Sequence, residues 1–331
     1  MISMLTTRTN FNVKGLLANS HIQSVLASSK LRRKVCSAKH KQLIDNEVEI
    51  LLDAGNNIRL HGLYSSAKNI NNFNHKLVIL IHGWEGSAES TYLLSAASHL
   101  FNAGFSILRL HLRDHGPSSH LNTELFHAAR LEEVLGGLHD IQKRLEYNNY
   151  YLVGFSLGGN FALRVGQKAV HYALKLTHIV AISPVFSPTE TMHALENGSG
   201  IYRHYFIKKW KRALKKKAEY FPEEYNFNDL LTSNSLNNMT KTLVSKYTPF
   251  KSVSEYFDSY TLNPGDFDTS NIQTDVILAA DDPVIPLSSA HHFTSTDHFT
   301  LRIFNQGGHC GFVQNWRFDS WVDHELVRLF S

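Results

Sequence analysis

The sequence predicts an α/β fold, in which a mostly parallel sheet of eight strands is flanked by helices and interrupted by a helical cap insertion. Two observations predict it. Short apolar runs alternate with stretches of helical periodicity at the spacing of βαβ units. The run at residues 76–82 is continuously apolar from Leu77 to Ile81, as expected of a parallel strand buried on both faces.

The first two strands form a predicted hairpin. Residues 47–52 and 58–64 are strand-like and are separated by residues 53–57, which are rich in residues that tolerate positive φ. Further strands are predicted over residues 76–82, 105–112, 150–153, 177–183, 274–280 and 299–304. Helices are predicted over residues 89–103, 124–146 and 201–217, after Ser156, and at the end through Trp316, Trp321, Leu326 and Leu329.

These patterns divide the chain into four parts. Residues 1–45 are predicted to be a mostly irregular lead-in with one helical piece. Residues 46–184 form the first part of the core and residues 271–331 the second. Residues 185–270 lack a clean buried strand and are predicted to be the helical cap inserted between them.

Composition excludes several classes of protein. A net charge of +4, with no zinc-finger or RRM-type pattern, gives no support for nucleic-acid binding. The two cysteines are too few for a disulfide framework, and the twenty histidines include no H-E-x-x-H pair, so no metal or cofactor is predicted. Residues 1–8 lack a secretory apolar run, and no run of about 18 apolar residues exists, so we predict a cytoplasmic location. Nothing indicates the oligomeric state.

The stretch Gly154-Phe-Ser156-Leu-Gly158 predicts a nucleophile. It follows the apolar run at residues 150–153 and has the G-x-S-x-G spacing of a sharp strand-to-helix turn, which exposes the serine at its tip. A serine hydroxyl is a poor nucleophile unless a base takes its proton and a third group orients that base.

The base and the acid are predicted at the ends of later strands. His309 follows the last strand and is flanked by glycines, which indicates a tight loop that presents the ring. Asp281 and Asp282 both follow the preceding strand, so the acid is one of these two. The order Ser, Asp, His is that of a known triad arrangement, and the carboxyl ends of parallel strands meet at one edge of a sheet.

Hydrolysis through an acyl-enzyme also needs N–H groups aimed at a developing oxyanion. The backbone amide after the nucleophile belongs to Leu157, and the loop after the third strand offers the amide of Trp84. The predicted oxyanion hole therefore consists of these two amides. The Trp84 ring itself is equally suited to packing against the cap.

The cap contains a basic amphipathic helix over residues 201–217. Its apolar stripe contains Phe206, Trp210, Ala213, Leu214 and Ala218, and lysines lie opposite. We expect the stripe to pack on the core, with substrate lining or contact with an anionic membrane surface as the alternatives. The basic cluster Lys30–Lys34 is predicted to be a solvated face.

The chain resembles the α/β-hydrolase superfamily and, within it, the YheT-like branch. Beyond the motifs above, the resemblance rests on His82-Gly-Trp-Glu-Gly86 and on residues 17–24, which are similar to the N-terminal "HLQT" stretch of that branch. Asp282-Pro-Val-Ile-Pro286 resembles the hydrolase loop whose first residue is the acid, which favours Asp282 over Asp281. Arg113-Asp-His-Gly116 departs from the Arg-Gly of the branch.

The resemblance implies an esterase or lipase that acts on a small-molecule acyl ester. The predicted roles are Ser156 as nucleophile, His309 as general base and then acid, and Asp282 as the group that orients His309. An acyltransferase that moves a medium-chain acyl group to an alcohol is the first alternative. A non-catalytic binding protein with this fold is the second.

Overall fold

The computed structural model describes residues 11–67, 76–267 and 270–331. The strands of the sheet are β1 (Glu47–Asp53), β2 (Arg59–Ser65), β3 (Lys76–Ile81), β4 (Ser106–Leu110), β5 (Asn149–Phe155), β6 (His178–Ile182), β7 (Gln273–Ala279) and β8 (Phe299–Phe304). The prediction about a secretory signal concerns residues 1–8, which lie outside these ranges. Within them, no helix combines the length and the apolar character needed to cross a bilayer.

The helices surround the sheet and also form the segment between β6 and β7. They are α1 (Ser20–Ala27), α2 (Lys30–Val35), α3 (Ser37–Asp45), α4 (Thr91–Asn102), α5 (Leu131–Arg144), α6 (Leu157–Lys168), α7 (Pro188–Asn197), α8 (Gly200–Tyr220), α9 (Asn228–Thr232), α10 (Leu236–Tyr247), α11 (Val253–Asp258) and α12 (Trp321–Phe330). We call α7 to α11 the cap.

The sheet has eight strands in the order β1-β2-β4-β3-β5-β6-β7-β8. The pairs β1–β2 and β2–β4 are antiparallel, and all other neighbours are parallel. The middle strands β4 and β6 are buried along their whole length because helices cover both faces, whereas the edge strand β1 is mostly exposed. The predicted α/β fold with a mostly parallel eight-stranded sheet is confirmed.

The prediction for the start of the chain was wrong. In place of an irregular lead-in with one helical piece, the described part of residues 1–45 contains α1, α2 and α3. Side chains cap the first two helices: Asn19 accepts from the amides of His21 and Ile22, and Ser29 accepts from those at the start of α2. The basic cluster is not wholly solvated either, since Arg32 is buried and its Nε donates to the Phe318 carbonyl.

Two helix boundaries also differ from the prediction. Helix α5 begins at Leu131 and not at residue 124, because tertiary partners satisfy the backbone groups of the preceding segment. For example, the Phe126 amide donates to Asp114 Oδ2, and the Ala128 amide donates to the Tyr256 hydroxyl. The last helix begins at Trp321, so Trp316 lies before it and is exposed.

Candidate active site

Ser156 lies at the junction of β5 and α6 in a strained backbone conformation. Its φ is 55° and its ψ is −119°, a region that residues other than glycine rarely occupy. The flanking glycines make this turn possible. A Cβ on Gly154 would lie 2.1 Å from the Gly158 carbonyl oxygen, and a Cβ on Gly158 would lie 2.3 Å from the Ile81 carbonyl oxygen. The G-x-S-x-G spacing therefore reflects close backbone packing around the serine.

The structure brings Ser156, His309 and Asp282 together. His309 Nε2 lies 3.0 Å from Ser156 Oγ, and His309 Nδ1 lies 2.9 Å from Asp282 Oδ2. The remaining carboxylate oxygen, Asp282 Oδ1, accepts hydrogen bonds from the two backbone amides at Val284 and Ile285. These bonds fix the carboxylate, which is 2% exposed, against the imidazole ring.

The neighbouring Asp281 has a different hydrogen-bond partner. Its Oδ1 accepts from the Gly308 amide at 2.9 Å, so this carboxylate holds the backbone of the His309 loop and makes no hydrogen bond to the ring. The loop is tight, with φ of 56° at both Gly308 and Cys310. The two aspartates therefore have different partners, since Asp282 contacts the His309 ring and Asp281 contacts the backbone of its loop.

The Trp84 loop lies directly against Ser156. A Cβ on Gly83 would lie 3.1 Å from Ser156 Cβ, and the Gly83 amide donates to the Tyr92 hydroxyl, which fixes the loop. Within the described ranges, the Trp84 and Leu157 amides have no hydrogen-bond acceptor outside regular helix and strand pairing. Leu157 is the first residue of α6, where helical amides lack an intrahelical partner. The role of these two amides as oxyanion donors stays a prediction.

Two buried histidines accept hydrogen bonds from other backbone amides of the Trp84 loop. His111 Nε2 accepts from the Ala88 amide, and His115 Nε2 accepts from the Glu85 amide. Burial lowers the pKa of His111 to about 3 and that of His115 to about 4, so both rings are neutral acceptors at neutral pH. No group of three or more histidine, cysteine or acidic side chains in the described ranges is arranged to hold a metal ion.

Comparison with known proteins identifies the family. Residues 76–315 match a family model described as the alpha/beta hydrolase fold. The chain belongs to the α/β-hydrolase family. The finer resemblance to the YheT-like branch stays a prediction.

Individual relatives of this α/β-hydrolase are distant. A Haemophilus influenzae protein named "Putative esterase/lipase" is 28% identical over 112 residues, which is 34% of this chain and 36% of that protein. A serine hydrolase from Cycloclasticus zankles has a TM-score of 0.59 at 14% identity, covering 86% of this chain and 98% of its own. A carboxylesterase from Bacillus subtilis has a TM-score of 0.54 at 13% identity, covering 90% and 96%. These two structures are similar in fold.

The cap of this α/β-hydrolase roofs a small, mostly apolar cavity beside Ser156. The cavity has a volume of about 100 Å³, and its walls come from the core and from α7, α8, α10 and α11. Phe206 and Trp210 of α8 both line it. They also contact the Trp84 ring, with which Phe206 is stacked at 5.2 Å and Trp210 is edge-on at 5.1 Å. Residues of the predicted stripe therefore face both the core and the site.

The sequence did not predict the role of helix α1 in the site. The Ser24 hydroxyl accepts from the His309 amide at 2.8 Å. Gln23, which is fully buried, donates to the Leu17 and Val313 carbonyls and accepts from the Val313 amide. His21 Nδ1 lies 2.8 Å from the Tyr202 hydroxyl at the start of α8. The "HLQT"-like stretch thus links the His309 loop to the cap.

Lysines of α8 that the sequence placed on a basic face are partly internal. Lys217 is 1% exposed, and its ammonium group donates to Asp114 Oδ1 at 2.8 Å. It also donates to the carbonyls of Ser119, Asn122 and Glu124. Asp114 is the residue by which the chain departs from the Arg-Gly of the branch. The departure therefore supplies the counter-charge for a buried cap lysine.

Replacing Lys217 with methionine is expected to lower the free energy of unfolding by about 3 kcal/mol, because it leaves Asp114 and three carbonyls without their donor in a buried place. Chemical denaturation followed by circular dichroism measures the change. Lys215→Met on the exposed side of the same helix is the matched control and should shift stability by less than about 0.5 kcal/mol. Equal losses in the two variants would contradict the assignment.

Proposed function

We propose that this α/β-hydrolase cleaves carboxylic esters through an acyl-enzyme formed on Ser156. The observation that carries the proposal is the continuous hydrogen-bonded chain from Ser156 Oγ through the His309 ring to the Asp282 carboxylate. In this mechanism His309 takes the proton of Ser156 as the hydroxyl attacks the ester carbonyl. The imidazolium that forms is stabilised by Asp282, and the oxyanion accepts from the Trp84 and Leu157 amides. His309 then protonates the leaving alcohol, and water releases the acid.

The cavity favours small esters. A volume of about 100 Å³ is somewhat smaller than that of an engineered apolar cavity of about 150 Å³ that binds benzene, and its walls are mostly apolar. We therefore expect hydrolysis of p-nitrophenyl esters to fall steeply beyond short acyl chains, which a series from acetate to decanoate measures. Including a short alcohol in the assay and analysing the products for a new ester tests the acyltransferase alternative.

The pH dependence of this reaction follows from the surroundings of His309. Burial of the ring acts to lower its pKa, but the Asp282 carboxylate and the neighbouring Cys310 together raise the pKa of His309 well above the ordinary value of 6.5. A general base must be neutral, so activity is lost as the pH falls through this raised pKa. We expect kcat/KM for a short ester to reach half of its maximum above pH 6.5. A profile already at its plateau at pH 6 would contradict this.

We also propose that the exposed part of α8 contacts an anionic membrane surface. Lysines 208, 209, 211 and 215 line an open groove with Lys30 and Arg203. Of the lysines of α8, Lys209, Lys216 and Lys217 also donate hydrogen bonds to the core. Both cysteines are free thiols, which supports a reducing, cytoplasmic location.

Replacing Lys208, Lys211 and Lys215 with glutamine is expected to weaken binding to anionic vesicles by roughly one hundredfold, at about 1 kcal/mol for each lysine. Co-sedimentation with phosphatidylserine vesicles measures it. Lys143, Lys168 and Lys175 are exposed and lie at the edge of the sheet opposite the active site. Replacing these three with glutamine is the matched control and should leave vesicle binding as in the wild type. Equal binding by both triple variants would remove the membrane contact from the proposal.

A further inference from the structure

Two residues that line the cavity beside Ser156 each have a polar side-chain atom that lacks a partner. His127 Nδ1 and Thr191 Oγ1 are buried and have no hydrogen-bond partner among the described residues. Both residues line this cavity, and their exposed fractions are only 7% and 8%. Leaving a buried polar group unpaired is costly, and most such groups in proteins find a partner. The two groups therefore indicate something that the cavity binds.

The His127 ring is held in place as a neutral group. Burial, together with the positive charges of Arg130, Arg113 and Arg164, lowers the pKa of His127 to about 3. The ring meets Phe250 and Tyr256 edge-on, at 5.8 and 6.2 Å. Its Nδ1 has no hydrogen-bond partner among the described residues. This atom therefore offers either an N–H donor or an acceptor lone pair, according to the tautomer of the ring.

Thr191 adds a hydroxyl from the cap. It belongs to α7, whose Met192 and Leu195 also line the cavity. A hydroxyl donates one hydrogen bond and accepts others, whereas His127 Nδ1 donates or accepts according to its tautomer. A hydroxyl group on a bound molecule can likewise both donate and accept. A carboxylate can only accept, and it would lose more solvation on entering this apolar cavity than two neutral donors return.

We propose that the substrate is an ester that carries a hydroxyl group close to the scissile bond, and that His127 and Thr191 bind this hydroxyl. The proposal rests on ester hydrolysis at Ser156 and adds the class of ester. It makes the two side chains determinants of specificity. A site built to hydrogen-bond a substrate hydroxyl discriminates strongly against the analogue without it, since its own polar groups are then left unpaired.

Matched pairs of esters test the proposal. One pair, p-nitrophenyl 3-hydroxybutyrate and butyrate, carries the hydroxyl on the acyl side. The other, 3-hydroxypropyl butyrate and propyl butyrate, carries it on the alcohol side. We expect the wild type to prefer the hydroxylated member of one pair, and Thr191→Val and His127→Phe each to lower that kcat/KM ratio about tenfold or more. If the kcat/KM ratios of both variants stay within twofold of the wild type for both pairs of esters, the proposal is overturned. A bound water that satisfies the two groups would give this result.

Stability provides an independent measurement with a matched control. Thr191→Val removes a hydroxyl that has no partner among the described residues, so it should leave the Tm unchanged or raise it. Thr261→Val removes a hydroxyl that donates to the Phe257 carbonyl at 2.9 Å and does not line the cavity, so it should lower the Tm and leave the ester ratios unchanged. A Tm loss for Thr191→Val as large as that for Thr261→Val would show that its hydroxyl has a protein partner and would overturn the proposal.

Binding measurements distinguish a failure of this proposal from a failure of the proposed ester hydrolysis. If the wild type hydrolyses none of the four esters, ester hydrolysis fails, and calorimetry of the same esters with Ser156→Ala still decides the hydroxyl site. Tighter binding of one hydroxylated ester than of the matched ester without the hydroxyl supports the site, provided that this difference disappears in the double variant Ser156→Ala, Thr191→Val. Equal binding within both pairs overturns it.

Discussion

Replacement of Ser156 by alanine is expected to lower kcat for ester hydrolysis by about 10⁶-fold without unfolding the protein. The substitution removes the oxygen that lies 3.0 Å from His309 Nε2 and leaves the base with nothing to activate. Steady-state assays on purified protein, with circular dichroism to check the fold, measure the effect. A fluorophosphonate probe should label the wild type and not the variant, which also separates an enzyme from a non-catalytic binding protein.

A matched serine controls for the strained backbone. Ser183 also has a positive φ, of 46°, and its hydroxyl accepts from the Cys310 amide near the site without contacting the His309 ring. Ser183→Ala should therefore keep activity within about tenfold of the wild type. If Ser156→Ala retained the activity of Ser183→Ala, the nucleophile would have to be sought elsewhere.

The second large effect is expected at the acid. Asp282→Asn should lower kcat by about 10⁴-fold, because an amide facing Nδ1 favours the wrong tautomer of His309 and cannot stabilise the imidazolium. Asp281→Asn should cost far less, since the side-chain oxygen of asparagine can still accept from the Gly308 amide. The two variants differ by one position and have the same change in charge, so each is the control for the other.

Kinetics for the two aspartate variants should be compared at one pH and with one ester, after equal stability has been checked by denaturation. A larger loss in Asp281→Asn than in Asp282→Asn would contradict the roles proposed here. It would mean that the backbone position of the His309 loop limits the reaction more than the charge behind the ring.

The parts of the fold that could be predicted from the sequence carry their signal locally. Strand β3 is continuously apolar from Leu77 to Ile81, and the turn at Ser156 needs glycines at 154 and 158 because neighbouring backbone occupies the space of a Cβ. The meeting of Ser156, Asp282 and His309 at one edge of the sheet could be predicted because each of them follows a strand. These strands, β5, β7 and β8, run parallel to one another in a single sheet.

The parts that could not be predicted depend on distant partners. Lys217 lies in a run of lysines, and only Asp114, 103 positions earlier, distinguishes it from its exposed neighbours. Gln23 is polar, yet it is buried because its partner Val313 is 290 positions away. The one local signal was Asn19, a capping residue ahead of α1. His127 and Thr191 have no local signal at all, since the cavity that they line is formed by several separate elements.

The contact between Ser24 and His309 has a consequence for how the active protein comes into being on the ribosome. The two residues are 285 positions apart, so at about 5 to 20 residues per second roughly 15 to 60 s separate their synthesis. Helix α1 is made long before the loop that it supports, and the triad stays incomplete while the nucleophile elbow is already present. We therefore expect nascent chains to lack ester-hydrolysing activity until the residues up to His309 have been made and have folded.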